Sequence, residues 1–401
     1  MSANDSSSNL FFDVQQKTDK QHILDNPDTY IGSVETIDSN MWIMSEDGEK
    51  IIEKNINYIP GLFKLFDEGI VNSRDHVVRM KTKVDSNVEN ALPVTHIDIN
   101  IEPDGSITMI NDGNGIDVAQ KDGFWIPELV FGHLRTSTNY NKDEKKIVGG
   151  KNGFGFKLVL IWSSYGRIET VDHIRGLKYI QEYKNNLDEI CKPSITKCKN
   201  KPYTKITFKP DFARLGISGL SPDIVSLLKK RVYDIGAITD KNIRVKYNNE
   251  LVPVKNFEQY ISMYIGDKSN APRVYEDSSE GRWEYAVALT PSDEFVQISF
   301  VNGIHTSKGG KHVEYILNQI IRKLVDFIEK KKKTKVNANT IKEQLILFLR
   351  CDIENPAFDS QTKDYMNTPS SKFGSKREVS DKFIEKVAKM GVMDAALQLT
   401  E

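Results

Sequence analysis

Glu68 and Asn72 are the two residues of this sequence best suited, by type and spacing, to chemistry on a phosphate group. They stand four positions apart, so their side chains would be neighbours on a helix. A carboxylate can take a proton from an attacking water, and a neutral amide oxygen can ligate Mg²⁺, which otherwise prefers water and phosphate oxygens. The pair would equally suit an ordinary solvated helix face, and by itself it favours that interpretation.

The stretch after Pro60 predicts the helix that this pair requires. Proline is tolerated in the first turn of a helix, where its missing N–H has no partner to lose. Asp75 and His76 fall on the same face as Glu68 and Asn72. The buried side is marked by apolar or small residues at 3.6-residue spacing: Leu62, Phe66, Ile70, Ser73 and Val77.

Two glycine-containing segments could hold the rest of a phosphate ligand. Two predicted strands, 97–101 and 107–110, lead into Asn-Asp-Gly-Asn-Gly at 111–115, where Asn111 could reach a base edge or simply form a turn. Residues 149–157 read Gly-Gly-Lys-Asn-Gly-Phe-Gly-Phe-Lys and precede an apolar helical run. Backbone N–H groups at such a helix start attract phosphate, although the spacing is neither that of a Walker A loop nor GxGxxG. A surface loop is the alternative.

Two lysine features could also meet phosphate. Lys363 follows Gln361 and Thr362 and could pair with a terminal phosphate, although a lone lysine is usually solvated. Residues 322–342 hold eight basic and two acidic side chains, a local net charge of +6, with lysine at each position from 330 to 333. Such a cluster can bind a nucleic-acid backbone or simply end a solvated helix.

The composition indicates a soluble globular chain of about two domains. It has 401 residues, a net charge of −1 and 28% charged residues, which excludes a uniformly basic nucleic-acid coat. Its cysteines, Cys191, Cys198 and Cys351, form no CxxC pair and suit a reducing compartment. No apolar run approaches the roughly 20 residues of a membrane span, and the polar N-terminus lacks a secretory signal.

The pattern along the chain favours a mixed α/β (α+β) fold. Residues 203–208 predict a strand and residues 223–233 a helix. A polar stretch at 264–282 predicts irregular structure early in a second domain. That domain then continues with strands at 284–289 and 295–301 and an amphipathic helix at 313–328.

These segments together resemble the ATP site of the superfamily of gyrase, Hsp90, histidine kinase and MutL (GHKL), as does Thr-Ser-Thr-Asn-Tyr at 136–140. The resemblance runs over about residues 20–375. It narrows to eukaryotic-type, type IIA, DNA topoisomerase II through four further segments: 27–33 (Pro-Asp-Thr-Tyr-Ile-Gly-Ser), 297–302, 306–310 (Thr-Ser-Lys-Gly-Gly) and 354–363 (Glu-Asn-Pro-Ala-Phe-Asp-Ser-Gln-Thr-Lys).

This resemblance implies a fold and a set of roles. A GHKL/Bergerat-type α/β sandwich would span 31–252, after an N-terminal arm at 1–30 and before a ribosomal-S5-like α/β transducer domain at 253–401. The enzyme would hydrolyse ATP with Mg²⁺, with Glu68 as general base, Lys363 as a second catalytic residue, Asn72 as metal ligand and Asn111 at the adenine. The nucleotide-binding set would be Tyr30, Asn72, Asn111, Ser137, Thr138, Asn139, Gly150, Lys151, Asn152, Gly153, Phe154, Gly155, Phe156, Lys157, Gln361, Thr362 and Lys363.

It also implies partners. ATP would dimerise two copies, with the Tyr30 arm closing over the partner's nucleotide, and shut a gate around double-stranded DNA. The DNA-facing residues would be Lys330, Lys331, Lys332 and Lys333, and the DNA-cleaving part would lie beyond Glu401. The protein would act in the nucleus or, if viral, in the host cell or virion. The alternative is a GHKL nucleotide-sensing clamp of chaperone or mismatch-repair type with little turnover.

Several residues depart from the family pattern. Gly69, Ser73, Arg74 and His76 replace the usual residues around the Glu68 helix, and Gly69 is expected to weaken it by about 0.5–1 kcal/mol relative to Ala. His76 stands where the family has an amide. In the glycine-rich segment, phenylalanines replace the usual Tyr and Ala at 154 and 156.

Overall fold

The computed structural model describes residues 3–134 and 155–400, and for residues 3–13 it describes the backbone alone. The chain forms two compact units, divided between residues 255 and 256, and each is treated by itself. The sequence-based boundaries at 30/31 and 252/253 stay predictions. Over the described ranges, no helix is both long and apolar enough to cross a membrane.

The first unit consists of six helices and thirteen strands within its described residues. In chain order they are α1 (Ala3–Asp25), α2 (Pro27–Tyr30), β1 (Ile37–Met44), β2 (Ile51–Tyr58), α3 (Pro60–Asp85), β3 (His96–Ile101), β4 (Ile107–Asn111), β5 (Gln120–Lys121), β6 (Phe124–Trp125), α4 (Ile126–Gly132), α5 (Gly155–Ile161), β7 (Ser163–Asp172), β8 (Leu177–Lys184), β9 (Glu189–Ile190), β10 (Ser194–Lys197), β11 (Tyr203–Pro210), α6 (Pro222–Ile238), β12 (Arg244–Tyr247) and β13 (Glu250–Leu251).

Nine of these strands form one sheet, in the order β10-β8-β7-β11-β4-β3-β12-β13, with β9 paired to β8. Neighbours run antiparallel except β12 and β3, which are parallel. Side chains alternate across a strand, and one face is buried by Ile168 and Thr170 of β7 together with Phe208 of β11. Helix α3 packs against both α5 and α6, and all three helices contact strands of this sheet.

Helix α3 follows the predicted pattern. Pro60 is its first residue, and the five residues of the predicted apolar stripe are each at most 8% exposed. The polar face is not solvated, however, because Glu68 and Asp75 are also buried and Asn72 and His76 are half-buried. The ordinary interpretation of Glu68 and Asn72 as a solvated face is therefore wrong.

The second unit is built on a five-stranded sheet in the order β14-β15-β18-β16-β17. Its elements are α7 (Phe257–Ile265), β14 (Arg273–Asp277), β15 (Trp283–Leu289), β16 (Val296–Val301), β17 (Ile304–His305), α8 (Lys311–Lys332), α9 (Ala338–Lys342), β18 (Leu345–Cys351), a 3₁₀ turn (Ser370–Lys372), α10 (Asp381–Val387), a π-helical turn (Ala388–Val392) and α11 (Met393–Thr400).

The core of the second unit lies between this sheet and α8. Helix α8 buries Ile316, Ile320 and Leu324 against Leu347 and Leu349 of β18. The two strands and the helix predicted here are present, and the mixed α/β fold class is confirmed. The prediction of irregular structure at 264–282 is wrong at 273–277, where a polar strand, β14, pairs with β15 along its whole length. Its pairing partner, rather than its own composition, makes it a strand.

Candidate active site

Glu68 lies in the buried part of α3 and forms an ion pair with Lys64, one turn earlier. Lys64 Nζ is 2.9 Å from Glu68 Oε1, and the two side chains are only 6% and 8% exposed. Burial favours the neutral amine, but the carboxylates of Glu68 and Asp67 outweigh this effect and raise the pKa of Lys64. The ammonium therefore stays charged beside the carboxylate. Lys64 is not among the residues predicted for the site, although its position four residues before Glu68 could have indicated it.

A second set of buried charges fixes the same turn of α3 to α6. Arg231 Nε donates to Asp67 Oδ1 at 2.5 Å, and Arg231 Nη1 lies 3.5 Å from Asp234 Oδ2. Lys230 Nζ donates to the same Asp234 oxygen at 3.1 Å. Since removing one partner of a buried pair costs about 3–5 kcal/mol, these pairs hold α3 firmly. No sequence spacing connects Asp67 with a residue so distant along the chain, and this link could not be predicted.

The end of the glycine-rich segment lies directly against Glu68. A Cβ atom placed on Gly155, the first residue of α5, would be 2.2 Å from Glu68 Oε2. Glycine therefore lets the α5 backbone approach this carboxylate in its present position, and any larger residue would require the carboxylate or the start of α5 to move. The structure thus brings together Glu68 and Gly155, two elements that the sequence singled out separately.

Gly69 has a packing role in the same place. A Cβ atom there would lie 2.4 Å from Met109 Sδ and 3.4 Å from the Phe156 ring. Met109 is buried in β4, so the small residue lets α3 pack closely on the sheet. This close contact accounts for a residue that sequence reasoning treated only as a helix-weakening departure.

His76 connects α3 to the segment at 111–115. Its Nε2 donates to the Asn114 carbonyl oxygen at 2.8 Å, and its Nδ1 accepts from Arg79 at 3.1 Å. Burial, together with the Arg79 cation, lowers the pKa of His76 to about 4. The imidazole is therefore neutral at pH 7, which agrees with one nitrogen donating and the other accepting.

The segment at 111–115 is held mainly by Asp112. Its carboxylate accepts from the Thr95 backbone N–H at 2.6 Å, from the Thr95 hydroxyl and from the His96 N–H at 3.1 Å. Asn111, at the end of β4, is 9% exposed, and its Nδ2 donates to the Asp112 carbonyl oxygen at 3.0 Å. Asp112 thus shapes the loop, and Asn111 occupies the strand end predicted for it.

The other predicted nucleotide residues are only partly described. Phe156 is in the core, edge-to-face with Phe131 and Phe208. Lys157 is 1% exposed, and burial lowers its pKa to about 8. Tyr30 is in α2, where its hydroxyl lies 2.8 Å from His22 Nδ1. The following lie outside the described residues: Ser137, Thr138, Asn139, Gly150, Lys151, Asn152, Gly153 and Phe154.

Asn72 is the predicted metal ligand. It lies one turn after Glu68 on α3 and is half-buried, so its neutral amide is at the carboxylate-bearing face of the helix. Over residues 3–134 and 155–400, no group of three or more His, Cys, Asp or Glu side chains is placed to hold a metal ion.

The remaining predicted residues belong to the second unit. Lys363 has a left-handed backbone conformation, with φ 59°, and its Nζ lies 5.9 Å from the centre of the Phe358 ring. Thr362 Oγ1 donates to Asp364 at 3.0 Å, and Gln361 is half-buried beside it. The four lysines at 330–333 are exposed at the C-terminal end of α8, and Lys333 caps the helix with φ 57°.

Known proteins resemble the chain at the levels of domain, sequence and structure. The DNA gyrase B family profile matches residues 256–398. DNA topoisomerase 2 of Acanthamoeba polyphaga mimivirus is 44% identical over 389 residues, and that of Saccharomyces cerevisiae is 40% identical over 407. These alignments cover 95% and 96% of this chain but only 30% and 28% of the relatives' length.

The similarity in structure extends over nearly the whole chain. The crystal structure of the ATPase region of Saccharomyces cerevisiae topoisomerase II matches with a TM-score of 0.85 at 40% identity, covering 95% of this chain and 97% of that one. The ATPase and transducer domains of topoisomerase II from Balamuthia mandrillaris match with the same TM-score at 36% identity. The chain therefore belongs to the DNA topoisomerase II family and corresponds to the ATPase region of its members.

Proposed function

We propose that this chain binds and hydrolyses ATP as the ATP-operated gate of a type IIA DNA topoisomerase. The observation that carries the proposal is the position of Glu68, whose buried carboxylate is paired with Lys64 and lies against Gly155. A general base and the end of a phosphate-binding segment are thereby adjacent. The family of the chain supports the same reaction.

Glu68 acts as the general base of this hydrolysis. Its carboxylate accepts a proton from a water whose oxygen attacks the γ-phosphorus. The bond from that phosphorus to the β–γ bridging oxygen breaks, and ADP and inorganic phosphate leave. Lys64 orients the carboxylate beforehand, so the acceptor of the proton is already in place.

Asn72 fits a Mg²⁺ ligand, because it offers a neutral amide oxygen one helical turn from the general base. When bound, Mg²⁺ would supply positive charge that neutralises the phosphates. The proposed nucleotide contacts are those of the sequence analysis: Asn111 at the adenine, the serine, threonine and asparagine at 137–139 at ribose and phosphates, residues 150–157 around the triphosphate, and Tyr30 from the arm.

Lys363 is proposed to pair with the terminal phosphate, together with Gln361 and Thr362. A charge-assisted contact of this kind contributes on the order of 1.5–3 kcal/mol. If it tightens as the γ-phosphate is transferred, that energy appears as rate rather than as binding. ATP would then contact residues from both units and carry a signal between them.

In the whole protein, ATP binding would join two copies of the chain and close them around duplex DNA. The DNA contact is proposed for the lysines at 330–333, which are exposed at one helix end. Since the relatives include eukaryotic and viral enzymes, we place the protein in the nucleus or in an infected cell.

Replacing Glu68 by Ala tests the proposal. Hydrolysis should be lost, while dimerisation by a non-hydrolysable ATP analogue, followed by light scattering, should persist. Glu53→Ala, at an exposed position on β2, is the matched control and should hydrolyse ATP normally. Unchanged hydrolysis in Glu68→Ala would show that Glu68 is not the general base. A wild-type chain that dimerises without turnover would instead favour the nucleotide-sensing clamp.

The DNA contact has its own test. Replacing Lys331, Lys332 and Lys333 by Gln should weaken DNA binding and reduce the slope of log K against log salt by about 0.9 per lost phosphate contact. The control removes three exposed lysines of the first unit, at 192, 197 and 199. If both triple variants weaken DNA binding equally, binding depends on the net charge of the chain, and the end of α8 is not a specific DNA-binding surface.

A further inference from the structure

The loop that carries Lys363 is docked by its backbone on one other segment of the second unit. We call residues 358–366 the lysine loop and residues 306–311 the anchor segment. Lys308 N–H donates to the Asp364 carbonyl oxygen at 3.0 Å, and Met366 N–H donates to that of Gly309 at 3.2 Å. Lys311 N–H then donates to the Met366 carbonyl oxygen at 2.8 Å. The position of the lysine loop therefore depends on that of the anchor segment.

The anchor segment is in turn fixed by a chain of buried polar side chains. The Thr306 and Ser299 hydroxyls are 2.6 Å apart, and Thr306 Oγ1 is 3.0 Å from His312 Nε2. All three residues are 0% exposed. Gln297 adds a bond from its Nε2 to the Ser307 carbonyl oxygen at 3.0 Å. This chain extends from strand β16, through the anchor segment, to the first turn of α8.

A buried histidine at position 312 destabilises the fold relative to an apolar residue if its only role is packing. Burial lowers its pKa to about 3, so the ring is neutral. Its Nδ1 is buried and has no hydrogen-bond partner within the described part of the chain. Such a group costs about 1–3 kcal/mol, a cost that a leucine of similar size would not carry. What distinguishes the histidine from leucine is its hydrogen bond to Thr306.

We propose that His312 is a positioning residue for Lys363: with Thr306 and Ser299, it sets the anchor segment on which the lysine loop is hydrogen-bonded. The inference rests on the proposed role of Lys363 at the terminal phosphate. Lys363 is at the tip of the loop in a left-handed conformation, and its N–H donates to the Ser360 carbonyl oxygen at 3.0 Å. A shift of the anchor segment would therefore move the ammonium, and a displacement of about 1 Å can lower a rate by about 100-fold.

The test measures kcat and KM for ATP in the full chain. Thr306→Val and His312→Leu each remove the bond between these side chains and should lower kcat by about tenfold or more, with KM changing less. Thr306→Ser keeps the hydroxyl and His312→Gln can keep a donor toward Thr306, so both should restore most of kcat. Thermal unfolding identifies the variants that fold, and Thr306→Val, being nearly isosteric, is the principal one.

A double-mutant comparison separates positioning from general damage. In the background of Lys363→Ala, which itself should lower kcat, Thr306→Val should have little further effect, because its target is already absent. Equal reductions by Thr306→Val in both backgrounds, or wild-type kcat in folded Thr306→Val, would overturn the inference alone. Wild-type kcat in Lys363→Ala would instead overturn the proposed role of Lys363 itself.

Discussion

At the scale of single residues, the proposed site depends on the Glu68 carboxylate, which is buried and forms an ion pair with Lys64. A buried Glu68 without a cation nearby would be costly, and Lys64 meets it at 2.9 Å from the same helix. The ion pair thus keeps the Glu68 carboxylate, the proposed general base, charged in a buried position. Its orientation is fixed before any substrate arrives.

Replacing Lys64 by Met should therefore be strongly destabilising. The variant keeps the length of the side chain but removes the ammonium that lies 2.9 Å from the Glu68 carboxylate, and loss of one member of a buried ion pair costs about 3–5 kcal/mol. Chemical denaturation measures this cost directly. Lys54→Met is the matched control, because its ion pair with Asp223 is exposed and should contribute no more than about 1 kcal/mol. Similar losses in both variants would mean that burial of the Lys64–Glu68 pair has no special effect.

Gly155→Ala should separate catalysis from folding. The new methyl group would lie 2.2 Å from Glu68 Oε2 and must displace either the carboxylate or the start of α5. We expect kcat to fall by about 100-fold, since the base loses its alignment. Gly219→Ala is the control, because nothing lies within 4 Å of a Cβ there. Normal turnover in Gly155→Ala would show that this close approach is unimportant for hydrolysis.

Residue types and local spacing identify part of this site. Glu68 and Asn72 could be selected because helical periodicity places them on one face, and Lys64 obeys the same rule. The link from Asp67 to Arg231 could not be found this way, since 164 positions separate the two residues. The packing role of Gly69 could not be predicted for a related reason: it depends on Met109, which only the folded sheet brings beside it.

At the scale of elements, His76 joins α3 to the loop after β4 by a hydrogen bond. Its bond to the Asn114 carbonyl oxygen joins the helix that carries Glu68 to the strand end that carries Asn111. Both proposed ends of the nucleotide site, catalytic and adenine-binding, are thereby kept in one arrangement. The bond requires a neutral ring with a protonated Nε2.

Protonation of His76 should therefore make folding depend on pH. Burial lowers its pKa to about 4, whereas the unfolded chain takes up the proton near pH 6.5. Between these values the unfolded state binds more protons, so the free energy of unfolding falls as the pH decreases from 6.5 to 4. This loss in the free energy of unfolding is on the order of 1–3 kcal/mol at pH 4, and the full stability is present above about pH 7.

His76→Gln should remove this part of the pH dependence. Urea denaturation at several pH values from 4 to 7 gives the free energy of unfolding at each pH. This free energy should depend less steeply on pH in His76→Gln than in the wild-type chain. Some pH dependence should remain, because burial also lowers the pKa of His312, to about 3, and this too reduces the free energy of unfolding as the pH decreases. Superimposable pH profiles for wild type and His76→Gln would contradict the assignment of a neutral His76 with a lowered pKa.

Elements with a strong period were predicted well from sequence, and polar elements were not. Helix α3 and strands β3 and β4 follow their apolar patterns, as does α8. Strand β14 reads as a polar loop, yet it pairs with β15 across all five of its residues. Edge strands gain their conformation from a neighbour, so their own composition carries little information.

At the scale of the whole molecule, the proposed mechanism requires ATP to contact both units. Glu68, the proposed general base, belongs to the first unit, and Lys363 belongs to the second. Such an arrangement would make the γ-phosphate the link between hydrolysis and any movement of the second unit. Loss of that phosphate would then release Lys363 while ADP remains held by the first unit.

Hydrogen exchange with two nucleotides tests this link. A non-hydrolysable ATP analogue should slow amide exchange both around residues 68–72 and in the lysine loop, whereas ADP should protect only the first region, because it lacks the phosphate that Lys363 would contact. At a ligand concentration of about 100 times Kd the stabilisation reaches about 2.7 kcal/mol, enough to change exchange rates measurably. In Lys363→Ala the analogue should protect like ADP. Protection of the lysine loop by ADP, or none with the analogue, would show that the two units respond to the nucleotide independently of its terminal phosphate.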